Sequence, residues 1–379
     1  DFKATITYGK QYLGRVSNQL QNPYYGDAKG IGRITRTNQT YTDETFTQLL
    51  SWGHQYGKHN VDAFIAHEST ENSNSVSEVR RSQLIQSDVL ELSNAIINDS
   101  SESYTLGYAM ESYFGQVRYD YDGKYFLNAS IRRDGSSRFI GDKTWSTFPS
   151  LALGWNIANE DFFKPLTKTV NTLKLRATYG ALGNTNITAL YPWFLGQPAS
   201  ASASSWLVNG ERVNISNVPG LVSPNLTWES VRSWNIGLDF GMFNNRLQGT
   251  FDYYVRTTKD MVGPAPVKPS ILGATQPAEN NSDMRSNGWD LEVRWRDRIG
   301  QLGYGIKLVL SDDFQTITRY YNPNRLLSQW SEGKRMGDIY GYQVEGIAQT
   351  NQQMDEWLAN NKPSWGSNWA AGDVMYKDL

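Results

Sequence analysis

The chain has 379 residues, 36 Lys plus Arg against 38 Asp plus Glu, and no cysteine. Disulfides and thiolate metal sites are excluded, and the even charge balance argues against a general nucleic-acid binder. No stretch approaches the roughly 18 consecutive apolar residues of a membrane helix. Yet 13 Trp and 22 Tyr stand in an otherwise polar composition. Such amphipathic rings suit a lipid–water interface, where transmembrane barrels carry aromatic girdles.

The sequence opens on "DFKATITYGK", which reads as strand from about residue 3 to 16, with no secretory signal before it. The chain is therefore expected to be a piece of a longer one. "TFTQLLSWGHQYGKHNVDAFIAHE" (45–68) reads as a hairpin turned at Gly57-Lys58. In "YFGQVRYDYDGKYFLNASIRRDGSSRF" (113–139), Tyr113, Gly115, Val117, Tyr119 and Tyr121 alternate with Phe114, Gln116, Arg118 and Asp120. After Asp122-Gly123, Tyr125, Leu127, Ala129 and Ile131 alternate with Phe126, Asn128, Ser130 and Arg132. This predicts a β-hairpin with one apolar and one mostly polar face. Each arm has about nine residues, close to the 9–11 of a tilted membrane strand.

Single strands are predicted at 147–157 and 173–180. Two more hairpins follow, one turned at Asn244-Asn245-Arg246 and one at "DRIGQ" (297–301). In the tail, "GDIYGYQVEGIAQT" reads as strand, "NQQMDEWLANN" as a short helix and "KPSWGSNWAAGD" as loop.

The connections sort by length. Short turns are expected at 55–59, 122–124, 243–246 and 297–300, with a modest one at 158–171. Long Ser/Asn/Gly-rich loops are expected at 17–31, 71–107, 134–146, 181–228 and 258–284. This alternation is the plan of an antiparallel transmembrane β-barrel, with short periplasmic turns and long extracellular loops. A Greek-key sandwich has no reason to sort its loops this way. About eleven strands are predicted, an incomplete barrel wall because single-chain bacterial barrels usually close on an even number.

"SYFGQVRYDYDGKYFLNASIRRDGSSRF", "WSTFPSLALGWNIANEDFF", "LKLRATYGALGN", "NLTWESVRSWNIGLDFGMFNNRLQGTFDYYVRTTKDM", "SNGWDLEVRW", "GDIYGYQVEGIAQT" and "AAGDVMYKDL" resemble, in order, the strand signatures of SusC/RagA-type TonB-linked outer-membrane transporters. The specific resemblance covers about residues 105–379. It implies that 1–379 is part of the barrel domain of a wall of about 22 strands. It also implies that the plug, the N-terminal extension and the closing strands are not in this chain. The resemblance further implies a bacterial outer-membrane location, a SusD-like surface lipoprotein over the mouth, energy coupling through TonB, and oligosaccharide or peptide cargo.

The chemistry of individual residues is modest. His54, His59 and His67 do not converge as metal ligands by spacing, and turn or surface roles are preferred. "DYDGK" (120–124) resembles the start of a Ca²⁺ loop but lacks the later ligands, and a tight turn explains it. "RRDGSSRF" (132–139) is read as a hydrogen-bonded corner rather than an anion site. Asp312-Asp313 and Glu160-Asp161 are adjacent and face opposite ways, so neither fits the carboxylate pair of a glycosidase. No catalytic motif appears, and neither enzymatic activity nor a cofactor is expected. Trp193, Trp206 and Trp330 fall in segments assigned to the extracellular side. They are candidates to contact cargo or lid, although packing within their own loops is the preferred reading. Gln116, Arg118, Asn128 and Arg132 are expected to face the lumen. A non-transporting outer-membrane scaffold or adhesin, and a soluble carbohydrate-binding β-protein, are the alternatives.

Overall fold

The computed structural model describes all residues except 23–31, 186–189, 197–198, 201–206, 217–218, 264–270, 272, 275, 328, 362, 364–365, 367 and 378–379. Its main element is one eleven-stranded antiparallel sheet in which every strand pairs with its neighbour in the chain. The strands are β1 (Phe2–Gln21), β2 (Arg33–Tyr56), β3 (His59–Leu84), β4 (Ala95–Tyr121), β5 (Tyr125–Ser136), β6 (Trp145–Asn156) and β7 (Val170–Asn184). Four two-residue strands follow in the long connection: β8 (Ala199–Ser200), β9 (Leu207–Val208), β10 (Glu211–Arg212) and β11 (Ile215–Ser216). The sheet resumes with β12 (Glu229–Met242), β13 (Leu247–Gly263), β14 (Glu279–Ile299) and β15 (Leu302–Arg319). The predicted strand number and the alternation of short and long connections are both present.

Cross-strand register carries the two faces through the sheet. Val117 lies opposite Ala63 on β3 and Ala129 on β5, and Ala129 lies opposite Leu151 on β6. Leu151 in turn faces Tyr179, which faces Trp234. Tyr113, Val117, Leu127 and Ile131 therefore share one apolar face, because paired residues point to the same side of a sheet. Tyr113, Val117 and Ile131 are all exposed, as residues in contact with lipid are. The hairpin turns at 122–124, where Asp122 and Gly123 both have positive φ, the backbone state that the Asp-Gly pair tolerates.

Aromatic rings bracket this face. At the turn end, His59 lies 4.9 Å from Tyr121, which lies 6.3 Å from Tyr125. Toward the loop end, Tyr113 sits 4.8 Å from His67 and 6.1 Å from Trp145. Eight residues separate Tyr113 from Tyr121, about 27 Å along the strand and about 20 Å vertically at a tilt of about 40°, against an apolar band about 25 Å tall.

The longest departure from expectation lies at 71–107. Instead of a loop, β3 runs to Leu84 and β4 starts at Ala95, so strands of 26 and 27 residues pair nearly throughout. From His67 to Leu84, β3 rises about 55 Å along its axis, far beyond the girdle. With β1 and β2 it forms a four-stranded extension above the apolar band. The sequence hid this because both faces of the extension are polar, so period-two alternation fades.

After β15, residues 333–336 fold back onto the end of that strand, with Gly333 and Met336 N–H donating to Ile317 and Gln315. Only Val344–Ile347 of the strand predicted at 337–350 is extended in a sheet, as β16, paired with β17 (Val374–Tyr376). Helix α1 (Asn351–Asn360) forms as expected, with the Thr350 side chain accepting from the Gln353 N–H at its N-terminus. Ala348, Met354 and Met375 make a small separate core with Trp357, Leu358 and Trp369.

The face assignment predicts that Leu127→Arg impairs insertion and Asn128→Arg does not. A charge on the lipid side near the midplane costs about 2–4 kcal/mol, whereas a polar-face position stays hydrated. Outer-membrane abundance of the two variants in the complete protein is the measurement, and equal levels would reject the assignment.

Candidate functional site

The polar face opposite the apolar one holds the charged chemistry of the sheet. Arg132 donates through Nε to Asp134 Oδ1 at 2.6 Å, and through Nη2 to Glu68 at 3.1 Å and the Ser112 hydroxyl at 2.8 Å. Its guanidinium also lies 4.7 Å from the Phe114 ring centroid. Nearby, Gln116 Nε2 donates to Asn128 Oδ1 at 2.5 Å, and Arg118 faces Asn128 in register. Gln116, Arg118, Asn128 and Arg132 thus share the polar face of β4 and β5. On the other half of the sheet, Arg176 bridges Asp239 and Asp252 at 2.9 and 3.0 Å. Gly237 clears the space, since a Cβ there would meet Arg176 Nη2 at 2.7 Å and Asp252 Oδ1 at 2.5 Å.

Above this ladder, the same face of the extension carries residues that sequence reasoning passed over. Gln39 lies opposite Val76, which lies opposite Tyr104. Tyr41 and Asn74 pair in register with Leu106, and Asp43 and Asn72 with Tyr108. Gln39 Nε2 donates to Asn74 Oδ1 at 2.8 Å, and Asn72 Nδ2 to Asp43 Oδ1 at 3.2 Å. Tyr104 and Leu106 remain about half exposed. Their alternation with Thr105 and Gly107 was the signal available in the sequence. The result is a surface of phenol rings between amides.

Long connections converge on the loop end of the sheet. Phe139, Phe148, Ala181, Leu226 and Trp228 form a buried cluster with Met110 and Val262 against it. The Trp228 indole N–H lies 3.2 Å from both the Lys143 and Thr144 carbonyls. Ser136 and Arg138 complete the corner expected at 132–139: the Ser136 N–H donates to the Thr144 carbonyl and the Arg138 N–H to Ser136 Oγ. Trp193 belongs to this docking system. Its indole N–H donates to the Arg138 carbonyl at 3.1 Å, and its ring meets Tyr191, whose hydroxyl donates to the Gly107 carbonyl on β4. Trp330 packs edge-on against Tyr320 at 6.0 Å, away from Trp193 in the chain and in its contacts. Trp206 lies outside the described residues.

The weighed alternatives resolve into structural contacts. His59 Nδ1 meets the Tyr119 hydroxyl at 2.7 Å, His67 faces Glu111 and Tyr113, and the His54 ring lies 4.1 Å from that of Tyr56, tilted by 54°. No group of three metal-ligating side chains occurs among the described residues. Asp122 is held by Lys58 at 2.6 Å. Glu160 accepts from the Tyr125 hydroxyl at 2.5 Å, the Trp155 indole at 3.0 Å and Lys124 at 3.2 Å. Those donors, Tyr125 foremost, hold its pKa below the usual carboxylate range. Asp161 turns instead to Lys164 at 2.7 Å. Asp312 and Asp313 are successive residues of β15, opposite Trp289 and Gly288, and so point to opposite faces of the sheet.

A barrel wall with these faces has clear relatives. The family described as TonB dependent receptor-like, beta-barrel, matches residues 1–378. The chain belongs to this family. It is thus part of an outer-membrane receptor barrel, with the apolar face toward lipid, and the proteins it matches are receptors rather than enzymes. The receptor chain is 30% identical over 277 residues to TonB-dependent receptor SusC of Bacteroides thetaiotaomicron, covering 69% of this chain and 26% of that one. It is 27% identical over 337 residues to TonB-dependent receptor P3 of Formosa agariphila, covering 84% and 33%. The chain therefore spans about a quarter to a third of the length of these curated relatives. Among solved structures, the RagAB peptide transporter superposes with a TM-score of 0.79 at 22% identity, over 92% of this chain and 39% of that one. At that identity the likeness establishes the fold alone.

Two outcomes test the geometry. Arg132→Met leaves the largely buried Asp134 carboxylate without its donor, and should destabilise the folded wall by about 1–3 kcal/mol. The check is thermal unfolding of the receptor in detergent against Arg132→Lys, which restores part of the loss. Glu160, with its lowered pKa, contributes stability above the ordinary carboxylate value, about 4.3, and loses it as pH falls through the lowered folded value. Wild type should lose more stability on acidification than Glu160→Gln, and parallel acid profiles would exclude this role.

Proposed function

We propose that the complete protein is a TonB-coupled importer of oligosaccharides or peptides that works with a SusD-like surface lipoprotein. Residues 1–379 serve as one stretch of its barrel wall. Gln116, Arg118, Asn128 and Arg132 line the lumen, and Trp193, with Trp206 and Trp330, belongs to the loops around the mouth. The observation that carries this reading is the phenol-and-amide surface of Tyr41, Tyr104, Gln39 and Asn74 directly above the polar lumen face. Phenol rings stack on the apolar faces of sugars or peptide side chains, and amides bond hydroxyl or peptide groups. The RagAB peptide transporter, similar in fold, supports the peptide class, and the resemblance of the sequence motifs to SusC/RagA-type transporters implies both classes.

The indole N–H of Trp193 is already bonded to the Arg138 carbonyl, which supports a role in fixing the loop near the mouth. A cargo role for Trp193 would then be indirect.

Uptake of labelled oligosaccharide and peptide pools by cells carrying the complete receptor tests the proposal. A Tyr41→Ala/Tyr104→Ala double variant should keep normal membrane levels and lose about tenfold in uptake, the share of two stacking contacts of about 1 kcal/mol or less each. No uptake of any pool by the wild-type receptor would remove the importer reading and favour a scaffold or adhesin, and equal uptake by wild type and the double variant would remove the cargo role of the phenol surface.

A further inference from the structure

The lipid-facing surface is not uniform. Three register rows cross it on β1 to β6. The lowest is Phe2, Trp52, Ala63, Val117, Ala129 and Leu151. Above it run Ala4, Leu50, Ile65, Gly115, Ile131 and Pro149, then Ile6, Gln48, His67, Tyr113, Arg133 and Thr147. Small residues fall together at the centre, at Ala63, Gly115 and Ala129, and large ones flank them. The consequence is an open trough in two continuous parts, of about 550 and 840 Å³, which share Leu50, Ile65, Gly115 and Ile131.

The upper end of the trough changes character. Arg133 lies there on the outer face, at the level of the Tyr113 and Trp145 girdle, its guanidinium 5.4 Å from the Trp145 ring centroid. Among the described residues it makes no ion pair, whereas other charged residues of this face have polar partners. Lys10 is paired with Glu44 at 2.6 Å, and Glu111 is engaged by Tyr113 and His67. An arginine at the lipid face is costly unless it meets water or an anion. From Ala129 to Arg133 the strand rises about 13 Å along its axis, about 10 Å vertically at a tilt of about 40°, most of the half-height of an apolar band about 25 Å tall. The trough therefore spans most of the hydrocarbon depth of one leaflet, the outer one, with the cation near headgroup height.

We propose that this trough is a binding site for a phosphate-bearing glycolipid of the outer leaflet. One acyl chain lies over Ala63, Gly115 and Ala129, and a phosphate oxygen accepts from Arg133. Apolar burial of the chain supplies most of the affinity, because each methylene laid against the groove leaves a less well packed lipid environment. The guanidinium supplies headgroup selectivity, since it matches phosphate with two parallel donors. The site is continuous with the bilayer that already covers this face, so no separate partner is needed to fill it.

The test uses the complete receptor, purified from outer membranes in mild detergent and washed free of loose lipid. Native mass spectrometry then reads bound lipid, with a diphosphorylated lipid A-type glycolipid and phosphatidylethanolamine added back as probes. Wild type should retain one glycolipid through the wash. Ala129→Trp fills the trough without adding charge and should lower retention about tenfold, and Arg133→Gln should do the same while abolishing preference over phosphatidylethanolamine. Leu153→Trp, on the same face below the trough, should match wild type. Heat-modifiable gel mobility reports folding of each variant, and Arg133→Gln stands alone if the tryptophan variant fails it. Equal retention by wild type and Arg133→Gln, absence of any lipid on wild type, or equal retention of both probes would overturn the proposal.

Discussion

A bilayer offers no hydrogen bonds, so every backbone N–H and C=O within it must find another strand. That constraint sets the form of this chain. Each of the eleven strands pairs with its sequence neighbour, which is the arrangement that tight turns deliver with least loop-closure cost. Side chains are then free to differ completely between faces. The lipid side takes Val117, Leu151 and Ile236, and the other takes Arg132, Arg176 and their carboxylates. Arg132 and Arg176 on the polar side are locked across strands to Glu68 and to Asp239 and Asp252.

The same pairing serves above the membrane for a different purpose. There the backbone has water available and need not be in strand. Continuing β1 to β4 well past the girdle keeps a fixed surface standing beside the mouth, where free loops would collapse or wander. The docked aromatics of the long connections act against this surface. Tyr191 reaches the Gly107 carbonyl and Arg138 stacks 4.0 Å from the Tyr108 ring centroid. The mouth is thus assembled from β4 outward, with loop tryptophans used as fasteners.

The membrane part of this design was readable in the sequence and the part above it was not. Tyr113 to Tyr121 alternates because lipid lies on one side and a polar space on the other. The Asp-Gly and Asn-Asn-Arg turns are local, and their backbone demands are written in two or three residues. Residues 71–84 and 95–107 experience water on both faces, so "ENSNSVSEVRRS" carries strand without alternation. The network of Arg132 with Glu68 joins residues 64 apart, and no spacing rule finds such a pair. Trp193 was recognisable as an ordered loop aromatic, but its partner, a main-chain carbonyl at Arg138, has no side-chain signature.

The length of β3 has a further consequence for alignment. Sliding β3 by one residue would turn Ala63 and Ile65 toward the polar side and expose Glu68 to lipid, so the membrane segment tolerates only one pairing. The stretch above Asn72 has no such penalty, being polar on both sides. It inherits its alignment from below, through unbroken pairing that begins at the Gly57-Lys58 turn. The first irregularity between β3 and β4 comes at Arg80/Arg81, more than a dozen residues beyond the last lipid contact, where one extra residue no longer turns any apolar side chain away from lipid.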